Sequence, residues 1–152
     1  MGQCRDSADS EGQTDSFVRD TFGRPMQDLR RSLLDRCNFR CPYCMPAAEY
    51  TEDYQFLSRQ ERLNHDEIFR VARIAVGLGV SKLRITGGEP LLDRNVSDLV
   101  GRLAALDGVD DLALTTNGVL LEPVAARLAD AGLHRVTISL DSLDESVFRT
   151  MS

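Results

Sequence analysis

The sequence predicts an α/β fold on a parallel sheet, and three observations carry that prediction. Short apolar runs alternate with segments whose apolar residues recur at helical spacing, and the alternation repeats from residue 28 to the last residue. Glycine falls where each helical pattern stops, at Gly79, Gly108 and Gly132. The residues that follow each strand pattern are chemically unusual: cysteines after the first, Gly87-Gly88-Glu89-Pro90 after the second, Asn117-Gly118 after the third, Asp141 after the fourth. Serial β-α units imply parallel strands with right-handed crossovers, which suits an open doubly wound sheet or a portion of a β/α barrel. Unusual residues behind every strand favour the barrel, where loops at the C-terminal strand ends build the site.

Each element follows from local pattern. Residues 1–16, MGQCRDSADSEGQTDS, have almost nothing to bury and read as a disordered tail, which makes Cys4 a bystander thiol. The first strand is expected over 28–34, DLRRSLL. A helix over 66–78 would place Ile68, Val71, Ala72 and Ala75 on one face, with Asn64 and Glu67 as a capping box. KLRIT, 82–86, is the second strand, and the helix over 94–106 carries Val96, Leu99, Val100 and Leu103. LALTT, 112–116, is the third, followed by a helix with Pro123 in its first turn and Val124 and Leu128 facing inward. RVTISL, 135–140, is the fourth, and Ser142 with Glu145 forms a second capping box for a last helix.

The totals exclude some classes. A chain of 152 residues has room for one compact core. A formal net charge of −6 argues against wholesale binding to nucleic acid or to an anionic membrane, although Arg30, Arg31, Arg36 and Arg40 cluster around the cysteines. No apolar run is long enough to cross a bilayer, and the N-terminus lacks the basic start and apolar stretch of a secretory signal. A reducing, cytoplasmic location is the default expectation, and there clustered cysteines are metal ligands or redox groups.

Cys37, Cys41 and Cys44 are spaced Cys-x3-Cys-x2-Cys. Structural zinc takes four ligands, usually as two distant pairs, and no second pair exists; His65 and His134 are the only histidines. A thioredoxin-like pair at Cys41-Pro42-Tyr43-Cys44 suits neither a third cysteine nor repeated β-α units. A cubic 4Fe-4S cluster fits better. Three thiolates hold three irons and leave the fourth open for a small ligand that can then accept an electron.

The cysteine spacing after the first strand, with GGEP after the second, resembles the radical S-adenosylmethionine (SAM) superfamily. The segments DRCNFRCPYCMP, LRITGGEPLL, TTNG and ISLDSLD together resemble the GTP 3′,8-cyclase family, the MoaA-type enzymes of molybdenum-cofactor biosynthesis. The resemblance implies a partial barrel of the radical SAM type, with residues 17–152 forming the N-terminal part of the core domain, about four of six β-α units. It implies a lyase that cleaves SAM to a 5′-deoxyadenosyl radical, which takes hydrogen from the ribose of GTP on the way to a cyclised pterin precursor. Cys37, Cys41 and Cys44 would hold the cluster, Tyr43, Gly88 and Ser139 would bind SAM with Glu89 as a further contact, and Arg30, Arg84 and Thr115 would bind GTP. A reducing electron donor is implied as partner, and no nucleic acid or membrane. The family's second cluster has no ligands in this sequence, so a truncated core is expected, inactive without a C-terminal half or a second copy.

Plainer roles compete for several of these residues. Arg84 would otherwise be a surface strand residue beside Lys82, Tyr43 a packed ring with a wet hydroxyl, and Glu89 a helix cap. Ser139 and Asp141 would satisfy turn amides, and the glycines would serve a tight turn. A peptide-modifying radical SAM maturase and a non-catalytic metal-binding fragment are the alternative functions. Two positions depart from the family's usual Leu-Arg-Ile-Ser-Val-Thr-Asp: Arg31 stands for an apolar strand residue and Leu34 for threonine. Arg31 is expected to disturb the alternation of the first strand.

Overall fold

The computed structural model describes residues 18–152; the expected tail and Cys4 lie outside the described residues. Strand β1 (Asp28–Ser32) pairs with β2 (Lys82–Thr86), β2 with β3 (Asp111–Thr116), and β3 with β4 (Arg135–Ile138). Every pairing is parallel, and spatial order equals chain order. Helices α1 (His65–Gly77), α2 (Val96–Ala104) and α3 (Ala125–Asp130) form the crossovers, and α4 (Glu145–Met151) follows β4.

The helices cover one face only, which decides between the two architectures. Leu83 and Ile85 of β2 and Leu112 and Leu114 of β3 pack with Ile68 and Ala72 of α1, Leu99, Val100 and Leu103 of α2, and Leu128 of α3 in one buried cluster. On the opposite face Arg30, Arg84 and Arg135 are exposed. A doubly wound sheet carries helices on both faces and reverses its strand order; a barrel wall does neither. Four consecutive units with one bare face make a barrel segment.

Local chemistry sets the element ends. Asn64 caps α1 by accepting from the Glu67 amide, while the Glu67 carboxylate accepts from the Asn64 amide. Gly79 follows α1 with φ 106°, the left-handed geometry that glycine adopts without penalty. The second expected capping box does not form. Asp144, not Ser142, caps α4 by accepting from the Ser146 and Val147 amides, and Ser142 accepts from the Asp144 amide one turn earlier. Val71, expected on the buried face of α1, is 39% exposed at the edge of the apolar stripe. β1 and β4 are shorter than their apolar runs, and Pro90–Leu92 forms a separate 3-10 turn before α2.

The alternation of β1 survives Arg31. Leu29, Arg31 and Leu33 point toward the helices, so the guanidinium enters a layer lined by Ile68, Ala72, Leu83 and Ile85. Its Nε is shut off from solvent with no hydrogen-bond partner among the described residues. At the other edge β4 is exposed throughout, with Ile138 53% exposed and Leu140, Leu143 and Val147 uncovered beyond it. No helix among the described residues is long and apolar enough to cross a membrane.

Candidate active site

All four unusual stretches meet at one rim, as a barrel segment requires. The cysteine loop follows β1 and is stapled from within by Arg40. Its Nη1 donates to the carbonyls of Cys37 and Phe39, both at 2.9 Å, and its Nε donates to that of Tyr50. Arg36 and Arg40 lie over the Phe56 ring, which packs with Tyr50 and Tyr54. Arg40, one of the cations clustered around the cysteines, is thus part of the loop's internal scaffold.

Each later loop is tied to the first or to its neighbour. The Gly88 amide donates to the Leu34 carbonyl at 2.7 Å and the Glu89 amide to that of Arg36 at 2.8 Å. Both glycines are required by this contact: a Cβ on Gly87 would press on the Leu34 carbonyl, and one on Gly88 would overlap the carbonyl of Arg36. Asn117 after β3 donates from Nδ2 to Oδ1 of Asn38 at 2.8 Å, between the first two cysteines. Tyr43 donates to Asp141 after β4 at 3.0 Å, and Phe39 meets Phe148 of α4 edge-on. The Tyr43 hydroxyl is pushed above its usual range because its hydrogen bond to Asp141 favours the protonated phenol.

Glu89 holds the second loop to the third. Its side chain is 1% exposed, and its carboxylate accepts from the Leu91 amide, the Thr116 hydroxyl and the Asn117 amide, all within 2.9 Å. Both oxygens are therefore engaged inside the protein. The expected cap forms, onto the Leu91 amide at the start of the 3-10 turn.

Cys37, Cys41 and Cys44 are free thiols, with Cys44 exposed and the other two half-buried. Burial pushes the Cys37 thiol up, reinforced by the charges of Glu89 and Cys41 and opposed by bonds from the Phe39 amide and Asn117. Among the described residues, no three His, Cys, Asp or Glu side chains converge as ligands of a single metal ion. Ligands of a cube bind three different irons and so stand further apart, which this loop's soft donor set accommodates.

Arg30, Arg84 and Thr115 lie on the bare face below this rim. Arg30 is the register partner of Arg84, and Thr115 stands one layer nearer the rim. Arg30 Nε reaches the Thr86 hydroxyl at 3.4 Å, and the Thr115 hydroxyl has no partner among the described residues. Ser139, exposed, follows β4 and donates its amide to Thr116. Sequence reasoning missed Asn38 and Thr116 altogether: nothing local marks a residue whose partner lies on another strand's loop.

A family model described as the radical SAM superfamily matches residues 32–151. The chain belongs to the radical SAM superfamily. Its members use a 4Fe-4S cluster and SAM, in keeping with three free cysteines on a braced loop. GTP 3′,8-cyclases of Staphylococcus haemolyticus and Staphylococcus aureus strain JH9 are 50% and 47% identical over 135 residues. The match covers 89% of this chain and 40% of each relative, so the chain spans two fifths of their length. Two crystal structures of BtrN, one open and one in complex with AdoMet and 2-DOIA, share this radical SAM fold with TM-scores of 0.59. They cover 82% and 84% of this chain and 55% and 51% of BtrN, at 16% and 17% identity.

Proposed function

We propose that this radical SAM chain is the cluster-bearing part of a GTP 3′,8-cyclase. The observation that carries the reading is the Arg30–Arg84 register pair on the bare face, beneath Thr115. Like charges directly opposite one another on adjacent strands repel. A phosphate-rich or purine ligand between them turns that repulsion into charge-assisted hydrogen bonds, which the planar guanidinium donates in fixed directions. Identity near one half to GTP 3′,8-cyclases supports the same assignment.

Cys37, Cys41 and Cys44 would hold the cluster, which when bound supplies the electron that splits the SAM sulfonium. The chain's own residues orient the reactants. Tyr43, Gly88 and Ser139 form the rim that takes SAM, with Tyr43 aimed by Asp141. Glu89 keeps the second loop at its height above the sheet, and Arg30, Arg84 and Thr115 hold GTP from below. The exposed apolar residues of β4 and α4 supply the surface against which the relatives' remaining three fifths would pack, in the same chain or as a separate one.

The test is anaerobic reconstitution with iron and sulfide, followed by GTP titration. Arg84→Ala or Arg30→Ala should weaken GTP binding by about tenfold or more while leaving iron content unchanged. Cyclised product is expected only once the polypeptide that covers β4 is supplied. GTP affinity indifferent to both arginines would overturn the substrate assignment.

A further inference from the structure

A cavity lies on the helix side of the sheet, behind the first two loops of the rim. It measures about 570 Å³ and opens between the first turns of α1 and α2. None of the three cysteines, nor any residue assigned above to SAM or GTP, lines it. Its floor is apolar, formed by Leu33, Leu34, Ile68 and Leu92, and its walls carry Arg36, Arg59, Arg62 and Arg94.

Arginines without a carboxylate partner also occur elsewhere among the described residues, at Arg30, Arg84 and Arg127 for example; what marks these four is that they line one cavity. The chain holds 24 acidic against 18 basic residues, and Arg24, Arg102, Arg135 and Arg149 each pair with a carboxylate within 2.8 Å. The four in the cavity have no carboxylate partner among the described residues. Arg62 Nε is shut off from solvent and has no hydrogen-bond partner among the described residues. The two carboxylates that line the same cavity are already engaged, Asp66 with Arg102 at 2.8 Å and Asp93 with His65 at 2.7 Å. Helix N-termini add partial positive charge on two sides, and Asn95 at the start of α2 makes no side-chain cap bond.

An acidic protein that gathers four unneutralised guanidiniums around an apolar floor is organised for an anion with an organic portion. We infer that the cavity binds a phosphorylated small molecule, its phosphates on the arginines and its organic part on the leucines. The site is separate from the one beneath Thr115 and does not depend on the identity of the substrate there.

Calorimetric titration of the 152-residue chain with inorganic pyrophosphate and, separately, with ADP tests this. The double variant Arg62→Gln/Arg94→Gln should weaken binding of both by about tenfold or more, whereas Arg30→Gln/Arg84→Gln should leave this binding event in place. Exposed Arg59→Gln guards against a folding defect and should weaken both ligands alone. ADP should bind at least as tightly as pyrophosphate; pyrophosphate binding without ADP binding would overturn the organic assignment. Absence of binding, or binding that only the Arg30/Arg84 variant removes, would overturn the site.

Discussion

At position 88 the backbone of Arg36 stands where a methyl group would go. The glycine pair of GGEP is legible in the sequence as a close approach, but its nearest neighbour is the protein's own chain. Gly88→Ala must push apart the first two loops, and overpacking of this kind costs about 1–3 kcal/mol. Urea unfolding should show that loss, and Ala at the equally glycine-free-space position Gly77, where nothing lies within 4 Å, should not show it. Asn38 and Thr116 had no comparable signature, because an Asn or Thr earns its role only from a partner brought near by the fold. Their hydrogen bonds reach across 79 and 27 residues.

Among the elements, β1 carries an unusual burden. Arg31 sends a guanidinium into an apolar layer, and a buried donor left without a partner costs about 1–3 kcal/mol. Arg31→Leu should therefore stabilise the chain by about that amount, read as a higher denaturation midpoint with unchanged slope. Equal or lower stability would show that the guanidinium finds a partner in solution. The intrusion of a charge was readable along β1; that the alternation would survive it was not, and nor was the register that sets Arg30 beside Arg84. Caps divide in the same way. Asn64 has both partners within one turn, so its box was plain, whereas Ser142 and Asp144 are both competent caps and only the path of the loop selects between them.

For the whole molecule, one-sided cover and the exposed β4 edge set stability and its pH dependence. Asp111 at the foot of β3 takes two nitrogens of Arg135 on β4, and that hydrogen-bonded pair holds its carboxyl below the usual range. A depressed carboxylate contributes stability above its unfolded pKa, near 4, and loses it as the pH falls through the lower folded value. Stability should decline below about pH 4, and Asp111→Asn should flatten part of that decline in acid-titrated thermal melts. Asp20, Glu61 and Asp144, lowered by neighbouring amides and side chains, share the remainder. Barrel character was legible from the four loop signatures, while the bareness of one face was not, since strand alternation alone does not say which side the helices take.

Strand order has a bearing on biosynthesis. Each strand pairs with the one made just before it, so the sheet can assemble vectorially as the chain leaves the ribosome. The thiol loop emerges first and receives its struts in sequence: Glu89 onto Arg36, Asn117 onto Asn38, and last Asp141 onto Tyr43. A ribosome paused before residue 141 would display those sulfurs on a loop still missing its final tether.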